Sequence, residues 1–246
     1  MRSTFSMPYW DGLKKTLPNF ALSHPRLLSL IQKLEMAIDE HQPVLANIQA
    51  EFDRRKEPTA LGGAIIAHLL WHINHCMMFY TSIRLANLSS CYIMLRSIFE
   101  NFVSMAFILS NRDEENPLAQ LFFDHSLLKD KTKFYAWYRK AQRPDGKKHN
   151  LRSVCKQVAP FAHGELDYPV DEKYEEVYER ASIFIHPDSQ WTGQWWKYDA
   201  ASQRHFLEYS VAIEHFETAA HEALLIMDIW NHIGRGFYGE PLMGPT

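Results

Sequence analysis

The segment from Cys91 to Ser110, CYIMLRSIFENFVSMAFILS, constrains the fold more than any other part of the sequence. Read as a helix, it is apolar on nearly every side, and such a helix has to be surrounded by other elements of the protein. Its charged residues, Arg96 and Glu100, stand one turn apart. We therefore expect a central helix enclosed by amphipathic neighbours.

Helical periodicity extends over most of the remaining chain, and glycine is sparse, at 10 residues. Ser23 and Pro25 suit the start of a helix, and Pro43 is expected to break or kink it. Apolar residues follow this start at helical spacing: Leu27, Ile31, Leu34 and Ile38.

Further helices are predicted from Thr59 to about Leu88, from Asn116–Pro117 to about Gln142, from Asn150 to Val158 before Pro160, from about Asp171 to His186, and from about Ser202 to His232. No alternating pattern predicts a strand. The prediction is an all-α, single-domain helical bundle of about six to eight helices. Residues 1–58 would form an N-terminal helical extension, and residues 59–246 the core.

Composition favours a cytoplasmic protein. The net charge of −3 gives no overall attraction to nucleic acid or to an anionic membrane. The three cysteines are scattered, which fits a reducing compartment, and the N-terminus lacks the apolar core of a signal peptide. The most membrane-like run, Leu61–Ile83, contains three histidines and Asn74. We therefore expect it to be buried against protein and expect no membrane association.

Arg96 and Glu100 have two interpretations. A charge on so apolar a helix is costly unless it is paired, so the two residues would form a buried i, i+4 ion pair that fixes this helix to its neighbours. Alternatively, Arg96 would bind an anion, with Glu100 orienting it or acting as a base.

Tyr178, Ser182 and His186 are spaced by four and share one face of a helix that ends at Pro187. They would form a line of hydrogen bonds at a polar site, where the helix dipole favours a charged His186. The structural alternative is a C-terminal cap, in which His186 bonds to backbone carbonyls.

A histidine stripe at i, i+4 and i+7 could bind a metal: His68, His72 and His75. Glu217 and His221 have matching spacing on the last helix. However, a di-metal bundle requires Glu-x-x-His pairs, and the sequence has none. We expect core histidines, with no metal and no cofactor.

The segment Lys129–Lys156 carries ten basic residues against two acidic ones, a local charge of +8. Aromatic residues are interleaved with the basic ones, and such a mixture can hold a phosphate backbone and stack bases. The candidate nucleic-acid ligands are Lys133, Tyr135, Trp137, Arg139, Lys140, Arg143, Lys147, Lys148 and Arg152. Alternatively, the seven acidic residues of Glu165–Glu179 neutralise this segment.

Three short motifs occur in a characteristic order: LRSIFENF, then LFFDHSLLKDKTKFY, then YERASIFIHPDS. In this order the chain resembles an uncharacterised all-helical family of bacterial proteins that carry a domain of unknown function. The family's motif positions fall on Arg96, Glu100, Phe122, Ser126, Ser182, His186 and Pro187. The resemblance covers roughly residues 61–190 and the final helix.

More distantly, RASIFIH is similar to the Arg-x(4–6)-His signature of HEPN-type helical ribonucleases. Arg180 and His186 take the motif positions, although Ala181 stands where a polar residue is usual. Members of that class pair two motifs across a dimer and cleave RNA without metal. The resemblance implies a homodimer, with His186 as acid or base and Arg180 stabilising the phosphate.

Two functional hypotheses follow. The first is an RNA-acting effector of a defence or toxin system, possessing a metal-independent ribonuclease activity in which His186 moves the proton and Arg180 or Arg96 neutralises the phosphorane. The second is a non-catalytic interaction module. In it, Arg96–Glu100 and Ser182–His186 are buried structural networks, and the charged segments mediate dimerisation or docking.

Overall fold

The computed structural model describes residues 8–54, 59–111, 116–126, 149–185, 196–207 and 213–238. The helices are α1 (Pro8–Thr16), α2 (Pro25–Arg54), α3 (Ala60–Arg84), α4 (Leu88–Leu109), α5 (Pro117–Ser126), α6 (Leu151–Glu165), α7 (Val170–Lys173), α8 (Arg180–Ile185) and α9 (Ile213–Tyr238). A 3₁₀ turn, Phe20–Ser23, precedes α2, and a π-helical segment, Tyr174–Glu179, joins α7 to α8. The fold is an all-α, single-domain helical bundle, as the periodicity predicts.

Helix α4 lies at the centre of the bundle. It packs against α3, α6, α8 and α9. Every residue from Asn101 to Leu109 is buried, so the prediction of a central helix is confirmed for this half. Helix α4 is also long and apolar enough to span a membrane, but 72% of its apolar window is buried within the protein, as expected for a core helix.

Helix α2 confirms the predicted start and apolar stripe. It begins at Pro25, and Leu27, Ile31, Leu34 and Ile38 are all buried. Of the two predicted effects of Pro43, a break in the helix does not occur, because α2 continues through Pro43 to Arg54. Its packing along α9 outweighs the one hydrogen bond that a proline removes. Helices α1 and α2 share one hydrophobic core with the later helices. The residues before the proposed boundary at residue 58 therefore do not have a separate core.

Two other helices start at their predicted positions. Thr59 accepts a hydrogen bond from the Gly62 amide at the start of α3, at 3.1 Å. Asn116 accepts hydrogen bonds from the amides of Leu118 and Ala119 at the start of α5. Side-chain oxygens at these positions satisfy the first free amides of a helix.

The later part of the chain differs from the prediction in two places. Helix α6 passes through Pro160 and ends at Glu165, because Val158 and Ala162, on either side of the proline, are both buried in the core. The last helix starts at Ile213, eleven residues after the predicted Ser202.

An antiparallel hairpin occupies the residues before the last helix. Strand β1 (Trp196–Asp199) pairs with β2 (Arg204–Leu207), with Trp196 opposite Leu207. The Asp199 carboxylate accepts hydrogen bonds from the Ala201 amide and the Ser202 hydroxyl, which closes the turn.

Candidate functional site

Arg96 and Glu100 lie on the less buried half of α4. The Nε of Arg96 is 3.6 Å from a carboxylate oxygen of Glu100, and the two side chains are 25% and 22% exposed. The pairing follows from the i, i+4 spacing. Full burial of the pair, as the apolar sequence around it suggested, does not occur, because this part of α4 faces α8 and the surface and not the bundle interior.

The end of the α7–α8 helix supplies two more polar groups to this pair. One terminal nitrogen of Arg96 donates to the Tyr178 hydroxyl, and the other donates to the Ser182 hydroxyl at 3.4 Å. The guanidinium also lies 4.1 Å from the centre of the Tyr178 ring, within range of a cation–π contact. We call Arg96, Glu100, Tyr178 and Ser182 the arginine network.

The π-helical segment helps to position this network. Tyr178 lies within it and stacks on Tyr174, with ring centres 5.2 Å apart. The Ser182 hydroxyl donates to the Tyr178 carbonyl at 2.9 Å, which leaves its oxygen free to accept from Arg96. Single π-helical turns of this kind are frequent where a helix has to present side chains at a functional site.

The Tyr178 hydroxyl stays protonated at neutral pH. Burial raises the pKa of Tyr178 to about 12, and the nearby Glu100 carboxylate adds to this rise, while Arg96 opposes it. The hydroxyl can therefore donate a hydrogen bond while it accepts one from Arg96.

Arg96 keeps hydrogen-bonding capacity beyond the network. A guanidinium carries five N–H donors in a planar fork, and two of them are directed at Tyr178 and Ser182. Because a quarter of the side chain is exposed, an anion such as a phosphate can approach the remaining donors.

Arg180 lies apart from the arginine network. It is exposed at the start of α8, and within the described residues it makes no hydrogen bond or ion pair with Arg96, Glu100, Tyr178 or Ser182. The positive charge of Arg180 acts on His215. Burial lowers the pKa of His215 most, and the charge of Arg180 lowers it further. His186 and Pro187 follow the last residue of α8 and lie outside the described residues.

Of the candidate nucleic-acid ligands, the structure describes Arg152 alone. Arg152 is exposed on α6 and forms an ion pair of 2.7 Å with Glu175. This pair joins the basic segment to the acidic one, as the neutralisation hypothesis expects at this residue. The others lie outside the described residues: Lys133, Tyr135, Trp137, Arg139, Lys140, Arg143, Lys147 and Lys148.

The histidines of α3 are buried, as expected of core residues. His68, His72 and His75, together with His41 of α2, form what we call the histidine cluster. The ring centres of His41 and His72 are 5.4 Å apart, and the ring of His72 stacks on Trp230 of α9.

Hydrogen bonds fix the tautomers of two members. His41 Nδ1 lies 2.6 Å from the Ala37 carbonyl, which can only accept, so Nδ1 carries the proton. His68 Nδ1 likewise donates to the Asn101 side-chain oxygen at 2.7 Å, because the amide nitrogen of Asn101 donates to the His68 carbonyl. The Nε2 atoms of both histidines therefore carry lone pairs.

One nitrogen of each ring in the histidine cluster is buried without a hydrogen-bond partner in the described part of the chain. Burial lowers the pKa of His41 and of His68 to about 4, and lowers that of His72 and His75 as well. These rings are neutral at physiological pH. In the described ranges, no group of three or more His, Cys, Asp or Glu side chains is placed to hold a metal ion, and His221 is exposed on α9.

Two polar networks in the structure were not predicted from the sequence. Arg84 is buried at the end of α3, where it donates to the Pro18 carbonyl at 3.0 Å and pairs with Glu35 at 3.6 Å. Lys173 joins α7 to α9 through a 2.6 Å contact with the buried Glu222. Arg84 is the last residue of α3, which contains no other Lys, Arg, Asp or Glu, and that isolated charge was the signal that could have indicated the network.

No protein-family model, curated protein or solved structure matches this chain.

Proposed function

We propose that this protein acts on RNA in the cytoplasm as a metal-independent ribonuclease, with the arginine network as part of its site. The observation that carries the proposal is the position of Arg96. It is a partly exposed arginine, held by Glu100 and Tyr178, beside the helix that ends one residue before His186.

The proposed reaction is a transesterification. The ribose 2′-oxygen forms a bond to the phosphorus, and the bond from phosphorus to the 5′-oxygen breaks. His186 takes the 2′-hydroxyl proton and then gives it to the leaving 5′-oxygen, so that the products are a 2′,3′-cyclic phosphate and a 5′-hydroxyl end.

Arg96 supplies the positive charge in this proposal. Negative charge builds up on the non-bridging oxygens of the phosphorane, and a positioned guanidinium stabilises it more than it stabilises the ground state. Arg96 fits this role better than Arg180. The contacts on Arg96 orient it, and one of its partners is Ser182, four residues before His186 in the sequence.

The test is RNA cleavage in EDTA, on single-stranded and stem-loop substrates. Parent protein is expected to cleave, and His186→Ala is expected to lose at least about a hundredfold in rate, the usual contribution of a general acid or base. Arg96→Lys keeps the charge but loses the planar fork, and should also be slow. Arg180→Ala is the matched control and should retain most activity. Equal cleavage by a folded His186→Ala protein would exclude the mechanism.

A second candidate function is a non-catalytic interaction module. The observation that favours it is that several of the described charged side chains are paired within the chain, among them Arg96 with Glu100, Arg152 with Glu175 and Lys173 with Glu222. In this case neither parent nor variants cleave RNA at high protein concentration, and the arginine network serves stability alone. A large loss of stability in Arg96→Ala, without any RNA-dependent activity in the parent, would support this alternative.

A further inference from the structure

The outward face of α3 is an uncharged strip that runs the length of the helix. Leu70, Met78 and Leu85 are exposed by 46%, 48% and 50%. Asn74 is exposed between Leu70 and Met78. With 100° between successive residues, these positions point in one direction, and the buried histidines of α3 lie 100° or more around the helix from Asn74.

No Lys, Arg, Asp or Glu occurs between Ala60 and Ile83. Exposed helix faces of soluble proteins normally carry charges. The exposed methionine of α2 shows the contrast. Met36 is 59% exposed, but it lies beside Lys33, Glu40 and Asp228 at a groove between α2 and α9.

The strip has a symmetry centre at Asn74. Along the face, the residues are Gly63, Ala67, Leu70, Asn74, Met78, Thr81 and Leu85. The steps between them are four, three, four, four, three and four residues, and this series reads the same in both directions. A second α3 laid antiparallel with its own Asn74 at the centre would therefore present its side chains at matching levels.

The residues at matching levels are complementary in size. In that arrangement Gly63 lies level with Leu85 of the other copy, and Ala67 lies level with Thr81. A small side chain thus faces a larger one in both of these pairs, while Leu70 meets Met78 as two exposed apolar chains. Such complementarity is what a two-fold contact requires, because one surface has to fit a copy of itself.

Asn74 suits the two-fold axis. Its amide carries both donors and an acceptor, so two copies can form a reciprocal pair of hydrogen bonds. A polar residue at such a position also fixes the register, since any shift along the helix would bury the amide without a partner. A charged residue there would repel its own copy.

We propose that the outward face of α3 is a homodimer interface, formed by two antiparallel α3 helices that cross at Asn74. The strip is about 33 Å long, from the helical rise of 1.5 Å per residue. A single helix face of that length falls short of the roughly 800 Å² per partner of a standard interface. The dimer is therefore weak and depends on protein concentration.

The first test places a thiol on the proposed axis. Asn74→Cys should form a disulfide with its own copy under mild oxidation, because the two-fold axis brings the two Cβ atoms together. The three native cysteines are buried and do not compete. Met36→Cys is the matched control, since Met36 is also exposed and lies on another helix. Equal crosslinking of the two variants, or none by Asn74→Cys, would overturn the proposal.

The second test measures the equilibrium by sedimentation over a wide range of concentrations. Asn74→Asp brings two carboxylates together and should raise the dimer dissociation constant at least about tenfold, because like charges across an interface are costly. Met36→Glu should leave it unchanged. A parent protein that stays monomeric at every concentration would contradict the proposed interface. An Asn74→Asp protein with the same dimer dissociation constant as the parent would contradict it as well. A circular dichroism spectrum confirms that each variant is folded.

Discussion

The histidine cluster and the arginine network are both made of polar side chains at helical spacing, yet they lie in opposite environments. The histidines are buried and neutral, and one nitrogen of each ring has no hydrogen-bond partner among the described residues. Arg96 and Glu100 are more than a fifth exposed and have several partners. Spacing made both groups candidates for a site. Burial is what separates a structural group from one that a ligand can reach.

Acid should expose this difference most strongly. The folded-state pKa values of His41 and His68 are about 4, below the unfolded value of 6.5, so the unfolded chain binds more protons at low pH. Stability is complete above pH 6.5 and falls as the pH drops from 6.5 towards 4. Each histidine contributes about 1.4 kcal/mol per pH unit. For these two histidines the expected loss is about 3 kcal/mol per pH unit, and His72 acts in the same direction, because burial lowers its pKa as well.

Urea denaturation at a series of pH values measures this slope. His221→Gln is the control, because His221 is exposed and its removal should leave the slope unchanged. A free energy of unfolding that stays constant between pH 6.5 and 4.5 would show that the histidines are not buried as neutral rings.

The substitution Arg96→Ala tests how much the arginine network stabilises the fold. It leaves the Glu100 carboxylate and the Tyr178 hydroxyl without their common partner. We expect a loss of about 1–3 kcal/mol, less than for a fully buried pair. For a chain of this length, that corresponds to a fall in melting temperature of roughly 2–12 °C.

Arg96→Lys separates charge from geometry. It keeps the ion pair with Glu100 but loses the planar stacking on Tyr178, so its melting temperature should lie between those of the parent and Arg96→Ala. Melting indistinguishable from the parent in Arg96→Ala would mean that the network does not stabilise the fold.

The substitution His72→Phe sharpens the comparison from within the histidine cluster. A phenyl ring fills a similar volume and removes one buried nitrogen without a partner. We expect stability at pH 7 to change by less than about 1.5 kcal/mol, as for other swaps that conserve volume. The dependence of stability on acid should become weaker, because burial lowers the pKa of His72 in the parent protein and phenylalanine does not titrate. Thermal melts at pH 7 and pH 5 provide the measurement, and an unchanged slope would contradict the assignment.

The smallest effect is expected at the surface pair Arg152–Glu175. The side chains are 53% and 62% exposed, so the distance of 2.7 Å conveys little stability. A double-mutant cycle should give a coupling below about 1 kcal/mol, and 0.5 M salt should reduce it further. A larger coupling would mean that the acidic segment holds α6 in place, as an interaction module requires.

Much of the fold was predictable because local rules and packing agree there. The α2 stripe, the helix starts at Thr59 and Asn116 and the central position of α4 all follow from periodicity and local signals. The helices do not end at Pro43 or Pro160, because packing outweighed a local preference there. In α6, Val158 and Ala162 are buried on both sides of the proline, so ending the helix there would have exposed Ala162.

The hairpin before α9 was not predicted from the sequence for a different reason. Its turn contains no glycine or proline, and Gln203 adopts a φ of 55°, which a residue with a side chain rarely does. Asp199, with Ser202 three residues later, was the available signal, since the Asp199 carboxylate bonds to both the Ala201 amide and the Ser202 hydroxyl. A short polar turn of this kind is easily read as the first turn of a helix.

By itself, the sequence determined the fold class, the central helix and the pairing of Arg96 with Glu100, because those depend on spacing along one helix. Tertiary structure alone decided that Tyr178 and Ser182 meet Arg96 across two helices, and that Arg180 does not. It also decided which side of α3 is buried, since that depends on which neighbours pack against it. Spacing along a chain fixes directions around one axis, whereas contacts between helices depend on how the axes are placed.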